Sequence, residues 1–389
     1  MENILVNFDN YKRTWSVKAE LPVEFTLKYS SDVFNINNHD LLSFNESNRR
    51  VVVIDKTVYE LYGKQLEVYF KIFQIELQLF VIDATEENKD WEHTNQILKF
   101  FEDVGVLRRE PIIVIGGGVL LDLVGFCCSI YRRGIPYVKV PTTLLAIVDA
   151  SVGVKVAANH FDRRNRIGAY YPPIATLIDK KFISTQDERN IVNGIAEIFK
   201  LAVIKSEELF VLLEQHHEQL INEKFQFGAV PVRVINLAIT EMIEELAPNL
   251  WERKLDRCVD FGHSFGPVIE MKNLPNLYHG EAVVLDCLYS SCIAEIRGFI
   301  TKEELKRIEE RISLRHNANK LKRTVNKYAK DLGKKVISEN EALRQRIRNP
   351  SRVNSERDLV YESSSSDEEF LAEQLGIESD EKQNGVLGM

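Results

Sequence analysis

The sequence predicts an α/β domain built on a parallel sheet, followed by a mostly α-helical domain and a charged, disordered tail. Three observations carry that reading. Short β-branched runs alternate with helical stretches through the first half. Apolar residues recur at three- and four-residue spacing through much of the second. Beyond that, like charges sort into blocks with little to bury.

Residues 51–55 (VVVID) have the composition of a buried strand, 66–73 read as helical, and Glu76–Ile82 as a second strand. A helix over 91–104 precedes residues 111–115 (PIIVI), which run straight into Gly116; residues 137–140 add a strand closed by Pro141. Strand, helix, strand, glycine turn, helix is the order of a parallel α/β sheet. From Asp187 onward strand signals vanish, and 191–213, 232–246 and 282–296 carry helical spacing. The expected boundaries are therefore 1–180 for the α/β domain, 181–318 for the helical domain and 319–389 for the tail. In the tail, 320–348 is strongly basic, 362–369 is acidic and serine-rich, and 370–375 forms a short amphipathic patch read as a frayed helix.

With 389 residues, 44% hydrophobic and 28% charged, the chain can bury a core in two domains. A net charge of -8 argues against nucleic acid or an anionic membrane as the main partner. Glu2 and Asp9 stand where a secretory signal would be basic and then apolar, and no apolar run reaches the roughly 18–20 residues of a membrane span. Five cysteines, an odd number mostly in apolar segments, read as reduced thiols, so the expected compartment is the cytoplasm.

The segment IIVIGGGVLLDLVGF runs from strand through Gly116, Gly117 and Gly118 into a helix. Three glycines let backbone N–H groups approach a diphosphate at a helix N-terminus. Leu121 stands where the common dinucleotide fingerprint has its third glycine, so a plain packing turn remains an equal reading. Asp122 and Gly125, one turn on, bring an acid and a close helix contact to the same place. Asp149 lies inside the apolar run AIVDASV, where a carboxylate requires a partner.

The triple glycine with Asp122 and Gly125, then Arg132, Arg133 and Gly134, then VPTTLLAIVDASVGVK and NH…RNRIGAYYPP, resemble the dehydroquinate synthase superfamily of sugar phosphate cyclases. The resemblance spans residues 51–298. It implies a Rossmann-like N-terminal domain and a helical C-terminal domain, with NAD and a divalent metal at the cleft between them. By resemblance Asp55, Glu86, Lys89, Gly116, Gly117, Gly118, Asp122, Thr142, Thr143 and Asp149 surround NAD. Glu197 (NGIAEIFK), His263 (DFGHSFG) and His279 (LYHGEAV) correspond to the family's metal ligands, and one carboxylate with two imidazoles suits zinc or cobalt. Lys155, Asn159, Arg164, Asn165, Lys200 and Asp260 match its substrate-contacting positions, since a sugar phosphate needs fixed cations and amides. The catalytic set so implied is Lys155, Lys200, Asp149, Asn165, Asp260 and His263, in a homodimer.

Dehydroquinate synthases resemble N-L-G-H-T-F-G-H where this chain reads DFGHSFGP, so Asp260 replaces an amide and Pro267 a histidine. That exchange, with LAPNLWE at 246–252, resembles the 2-epi-5-epi-valiolone synthases. It implies sedoheptulose 7-phosphate as substrate and 2-epi-5-epi-valiolone as product. Dehydroquinate synthase or desmethyl-4-deoxygadusol synthase chemistry stays open as an alternative, as does an inactive NAD- or metal-binding homologue. After about position 314 nothing resembles the family's glycine- and proline-bearing closing hairpin, which predicts a shortened helical domain.

Overall fold

The computed structural model describes residues 5–9, 14–18, 21–161 and 163–312. The chain divides into two compact units, Met1–Ala329 and Lys330–Met389. Every described residue lies in the first unit, which also contains the expected boundary at 180/181; the tail readings at 320–348, 362–369 and 370–375 lie outside the described residues.

The strands are β1 (Leu5–Asp9), β2 (Thr14–Lys18), β3 (Thr26–Tyr29), β4 (Arg49–Asp55), β5 (Glu76–Ile82), β6 (Ile112–Gly116), β7 (Tyr137–Pro141), β8 (Lys155–His160), β9 (Arg163–Tyr170) and β10 (Ala175–Ile178). The helices are α1 (Lys56–Ile72), α2 (Trp91–Asp103), α3 (Gly118–Ile130), α4 (Glu188–Ile204), α5 (Glu207–Asn222), α6 (Val230–Leu246), α7 (Gly266–Lys272), α8 (His279–Ile296) and α9 (Lys302–Ile312).

Six strands form a parallel sheet in the order β3-β10-β7-β6-β4-β5. β6 and β7 are buried along their whole length, so β6 reads as a continuous apolar run and β7 as one interrupted only by Lys139. Alternation divides β4 between two cores. Val51 and Val53 pack with α2 and α3, whereas Val52 and Ile54 pack with α1. From β4 the chain moves outward to β5, then returns to the other side of β4 as β6. That reversal places a switch point between the carboxyl ends of β4 and β6, where open parallel sheets bind ligands. Asp55 and Gly116 end those two strands, and a Cβ on Gly116 would lie 3.3 Å from that of Asp55.

Two features lie beyond the sequence reading. The helical spacing over 191–213 belongs to two helices, because the Ser206 side chain accepts from Leu209 N and caps α5 just after α4 ends. The region holding Lys155, Asn159, Arg164 and Asn165 carried no strand signal, yet β8 and β9 pair there as an antiparallel hairpin with an irregularity between Ala158 and His160. Three arginines in the first four residues of β9 hide the period-two pattern. Van der Waals contact holds the hairpin on α3, where a Cβ at Gly125 would overlap Val156.

The helical portion builds a separate core from α4, α5, α6 and α9. α8 lies along α4 and also carries α7. Asp286 of α8, 1% exposed, accepts from Phe265 N at 2.6 Å and Gly266 N at 2.8 Å, capping the start of α7. Ser290 donates to its other oxygen at 3.1 Å. Asp286→Ala should leave two backbone N–H groups unpaired and lower unfolding stability by about 1–3 kcal/mol. Denaturant titration checks this: the midpoint should fall with little change in slope, and an unchanged midpoint would show that the cap contributes nothing.

Candidate active site

The carboxyl ends of β4, β6 and β7 open into a cleft of about 1070 Å³, lined on its other side by α4, α6, α7 and α8. Gly117 and Gly118 line it at the start of α3. Packing explains only part of this triplet. A Cβ on Gly116 would press on Leu120 at 2.7 Å, but at Gly117 and Gly118 the nearest neighbours lie at 3.3 Å and φ is ordinary at Gly117. Both glycines line the cleft at a helix N-terminus, and a side chain on either would crowd Thr143 or Ala150, so the bare backbone fits close approach by a diphosphate. Beside it, Thr142 donates its N–H to Gly116 O, and its buried hydroxyl has no partner. Thr143 Oγ1 accepts from Ala146 N and starts the π-helical turn Ala146–Ala150 that carries Asp149.

Asp55 reaches the same cleft, but its carboxylate is engaged. It accepts from Thr57 N, Val58 N and Ala84 N, capping α1 and fixing the chain beyond β5, and burial raises its pKa despite those bonds. Lys89, 2% exposed, is held by Asp122 at 2.6 Å and Asn165 Oδ1 at 2.5 Å. Glu86 Oε1 accepts from Asn159 Nδ2 at 2.9 Å, while Asn159 Oδ1 accepts from Asn165 N. Asn159 thus stands behind the cleft wall, joining the β8–β9 hairpin to the segment after β5. Asn165 holds a left-handed backbone (φ 52) in doing so.

Deeper in the cleft, Glu197, His263 and His279 present ligand atoms that all lie within 4.8 Å of one another. Glu197 of α4 is fully buried, with His279 Nε2 at 3.2 Å and His263 Nε2 at 3.9 Å from Oε1. Its two oxygens are met by charged or ionisable groups alone, Lys200 on Oε2 and the imidazoles on Oε1. Burial alone would raise the Glu197 pKa, but Lys200, His279 and His263 together hold it well below the usual carboxylate range. Lys200, one helical turn on, has its Nζ 2.6 Å from Glu197 Oε2; burial opposes its charge, and Glu197 and Asp149 more than offset this. His263 lies at a turn where Gly262 has φ 79 and a Cβ would reach Cys287 Sγ at 2.7 Å. Its Nδ1 is 3.3 Å from Phe261 O, leaving Nε2 towards Glu197. Burial lowers the His263 pKa, against the pull of Glu197. For His279, burial and Arg164 are outweighed by Glu197 and Glu270, and the pKa rises. Gly280 lets α8 start against α4, because a Cβ there would overlap Asn193 O; Asn193 Oδ1 accepts from Gly280 N at 2.5 Å. A buried carboxylate oxygen converging with two imidazole nitrogens is a donor set that fits a divalent cation.

The positions expected to face a substrate divide. Arg164 joins Glu86 (3.6 Å from Nε), Glu270 and His279, so it spans the cleft. Lys155 lines the cleft near its rim with a 58% exposed side chain, 3.0 Å from Glu252. Asp260 is bound bidentately by Arg257 at 2.6 and 2.8 Å, so its charge is largely met within the chain. Several contributors escaped sequence reasoning. Glu252 links Lys155, Arg257 and the Tyr170 hydroxyl. Lys139, fully buried on β7 with its pKa lowered to about 8 by burial, donates to Ala150 O and Gly153 O and so supports the Asp149 turn. Glu270 is buried against His279. Glu252 closes the LAPNLWE segment, which gave it no role, and Glu270 and Lys139 carry no motif; their available signal was a charge among apolar residues. Among the described residues four of the five cysteines are buried and Cys258 is exposed, and no helix is long and apolar enough to cross a membrane.

Comparison with known proteins agrees with this geometry. Residues 79–193 match the 3-dehydroquinate synthase N-terminal family model and residues 194–335 the 3-dehydroquinate synthase C-terminal one. The latter match extends to position 335, beyond the described residues. The chain is 41% identical over 318 residues to a 2-epi-5-epi-valiolone synthase of Actinoplanes sp., covering 79% of this chain and 80% of that protein. It is 36% identical to a demethyl-4-deoxygadusol synthase of Trichormus variabilis, over 79% and 77% of the two chains. The crystallised 2-epi-5-epi-valiolone synthase of Streptomyces hygroscopicus subsp. jinggangensis, with NAD+ and Zn2+ bound, superposes with a TM-score of 0.74 at 41% identity, covering 82% of this chain and 90% of that one. With both halves of the family matched in order and the parallel sheet and helical portion in place, this chain belongs to the 3-dehydroquinate synthase family, as a sugar phosphate cyclase resembling the 2-epi-5-epi-valiolone synthases.

Proposed function

We propose that this chain uses NAD+ and one divalent ion, zinc or cobalt, to convert sedoheptulose 7-phosphate into 2-epi-5-epi-valiolone with release of phosphate. The carrying observation is the buried Glu197 carboxylate, whose ligand atom converges with those of two imidazoles within 4.8 Å in the cleft that also contains the glycine turn. The choice among cyclases rests on the higher identity to a 2-epi-5-epi-valiolone synthase (41%) than to a demethyl-4-deoxygadusol synthase (36%). It rests equally on Asp260 and Pro267 in the DFGHSFGP segment.

Residues 1–180 form the NAD-binding portion in this reading, with Gly117, Gly118 and Thr142 towards the diphosphate. Residues 181–318 supply Glu197, His263 and His279 for the ion. When bound, NAD+ supplies reversible hydride acceptance and the ion polarises adjacent hydroxyls. Oxidising one ring hydroxyl acidifies the neighbouring C–H, phosphate then leaves, and reduction, ring opening and an intramolecular aldol complete the carbocycle with no net redox change.

The chain's own groups position these events. Arg164 and Lys155 place cationic donors for a phosphate. Asn165 and the Arg257-bound Asp260 offer hydrogen-bonding groups to hydroxyls. Lys200, its ammonium fixed by Glu197, sits beside Asp149 and can hold or pass a proton at a substrate oxygen. By family resemblance the working unit is a homodimer, which sedimentation velocity would check.

Incubation with sedoheptulose 7-phosphate, NAD+ and zinc or cobalt should release phosphate and yield a cyclitol. An ultraviolet-absorbing enone would point instead to gadusol-type chemistry, and cofactor binding without phosphate release to a silent homologue. Glu197→Ala and His263→Ala should each lose bound metal and slow phosphate release on the order of 100-fold or more. Unchanged metal stoichiometry in either variant would show the ligand assignment to be wrong. Lys200→Ala should retain the fold but lose roughly 100- to 1,000-fold in turnover, read in the same phosphate assay.

A further inference from the structure

Glu270 lies on α7, nine residues before His279, and is 2% exposed. A carboxylate so placed must be ionised against partners or protonated, and here two donors converge on one oxygen. His279 Nδ1 lies 2.9 Å from Glu270 Oε2, and Arg164 Nη1 bonds the same atom. Arg164 Nη1 is also 2.7 Å from His279 Nδ1. An arginine nitrogen only donates. A bare Nδ1 could accept from Arg164 Nη1, but its lone pair would then face a carboxylate oxygen at 2.9 Å with no hydrogen between them. With a hydrogen on Nδ1, the ring and the guanidinium both donate to Glu270 Oε2, and the close Nη1–Nδ1 approach is that of two donors sharing one acceptor. That hydrogen leaves the Nε2 lone pair 3.2 Å from Glu197 Oε1, two electron-pair donors facing one another as ligands of a shared cation do.

The rest of the fold holds this contact in place. Asp286 caps α7, which carries Glu270. Glu281 of α8 accepts from Tyr278 N and pairs bidentately with Arg189, which also donates to Asn276 O and lies 3.8 Å over the Tyr278 ring. These contacts fix the segment immediately before His279, and Asn193 fixes Gly280 immediately after it. The ring therefore has little freedom to find another partner for Nδ1.

We propose that Glu270 is a positioning residue that locks His279 in its Nδ1–H tautomer and orientation, and thereby sets the divalent-metal affinity of the site. This rests on reading Glu197, His263 and His279 as metal ligands. A carboxylate behind a ligating histidine contributes roughly 10- to 100-fold in metal affinity. The test measures Zn2+ dissociation constants by competition with a chromophoric chelator, on wild type, Glu270→Ala and Glu270→Gln, with NAD+ affinity and thermal melting as controls for the fold. Glu270→Ala should bind Zn2+ about 10- to 100-fold more weakly with NAD+ affinity unchanged. Glu270→Gln should recover most of the loss, because its amide oxygen accepts the same bond from Nδ1–H. Wild-type affinity in Glu270→Ala would overturn the proposal alone, and so would equal weakening in both variants, which would make the effect one of charge or packing. Wild-type protein that binds no Zn2+ would overturn the metal-site reading and this inference together.

Discussion

A carboxylate fully removed from water governs the design of this cleft. Glu197 sits inside α4 with its charge intact, and an isolated ionised carboxylate in that setting would be strongly unfavourable. What makes it tolerable is the surrounding positive and polarisable set: Lys200 one turn away and two imidazoles across from it. The surrounding helices exist in the positions they do because those groups must be delivered to one point. α4 supplies the acid and the lysine, the turn before α7 supplies His263, and the first residue of α8 supplies His279. The close approach of α8 to α4, made possible by Gly280, is the packing feature that brings the last of these within reach.

The other half of the cleft follows from the sheet. Because β6 returns beside β4 after β5, the ends of β4 and β6 adjoin, and a crevice opens where the connecting segments diverge. The bare backbone of Gly117 and Gly118 and the unpartnered Thr142 hydroxyl face that crevice. The β8–β9 hairpin ties the two sides together. Through Asn165 it reaches Lys89 and Asp122, and through Arg164 it reaches Glu270 and His279. Proximity of a redox-type pocket to a cation-type pocket is thus a consequence of topology plus one polar hairpin.

Much of the parallel sheet was legible because β4 and β6 are buried on both faces and carry the β-branched runs VVVI and IIVI, with shorter apolar stretches in β7. The helices from 188 onward announced themselves through apolar spacing. The hairpin did not, since arginines and asparagine occupy positions where apolar alternation would mark a strand, although Val156 and Ala158 of β8 pack with α3. The break between α4 and α5 was equally hidden, because one capping serine interrupts a spacing that otherwise continues. At the site, residues inside family-like blocks were named directly from sequence. Glu270, Glu252 and Lys139 were not, because their importance lies in which distant side chain or carbonyl each one meets. The pairing of Asp260 with Arg257 shows the same limit: sequence gives an acid, and only the fold shows that its charge is already met.

X-ray absorption at the zinc edge of the zinc-loaded protein tests the proposed centre most directly. Two imidazole nitrogens and carboxylate or water oxygen at about 2.0–2.2 Å are the expected shell. A sulfur neighbour at about 2.3 Å, drawn from a cysteine such as the nearby buried Cys287, or a shell without imidazole scattering, would contradict it.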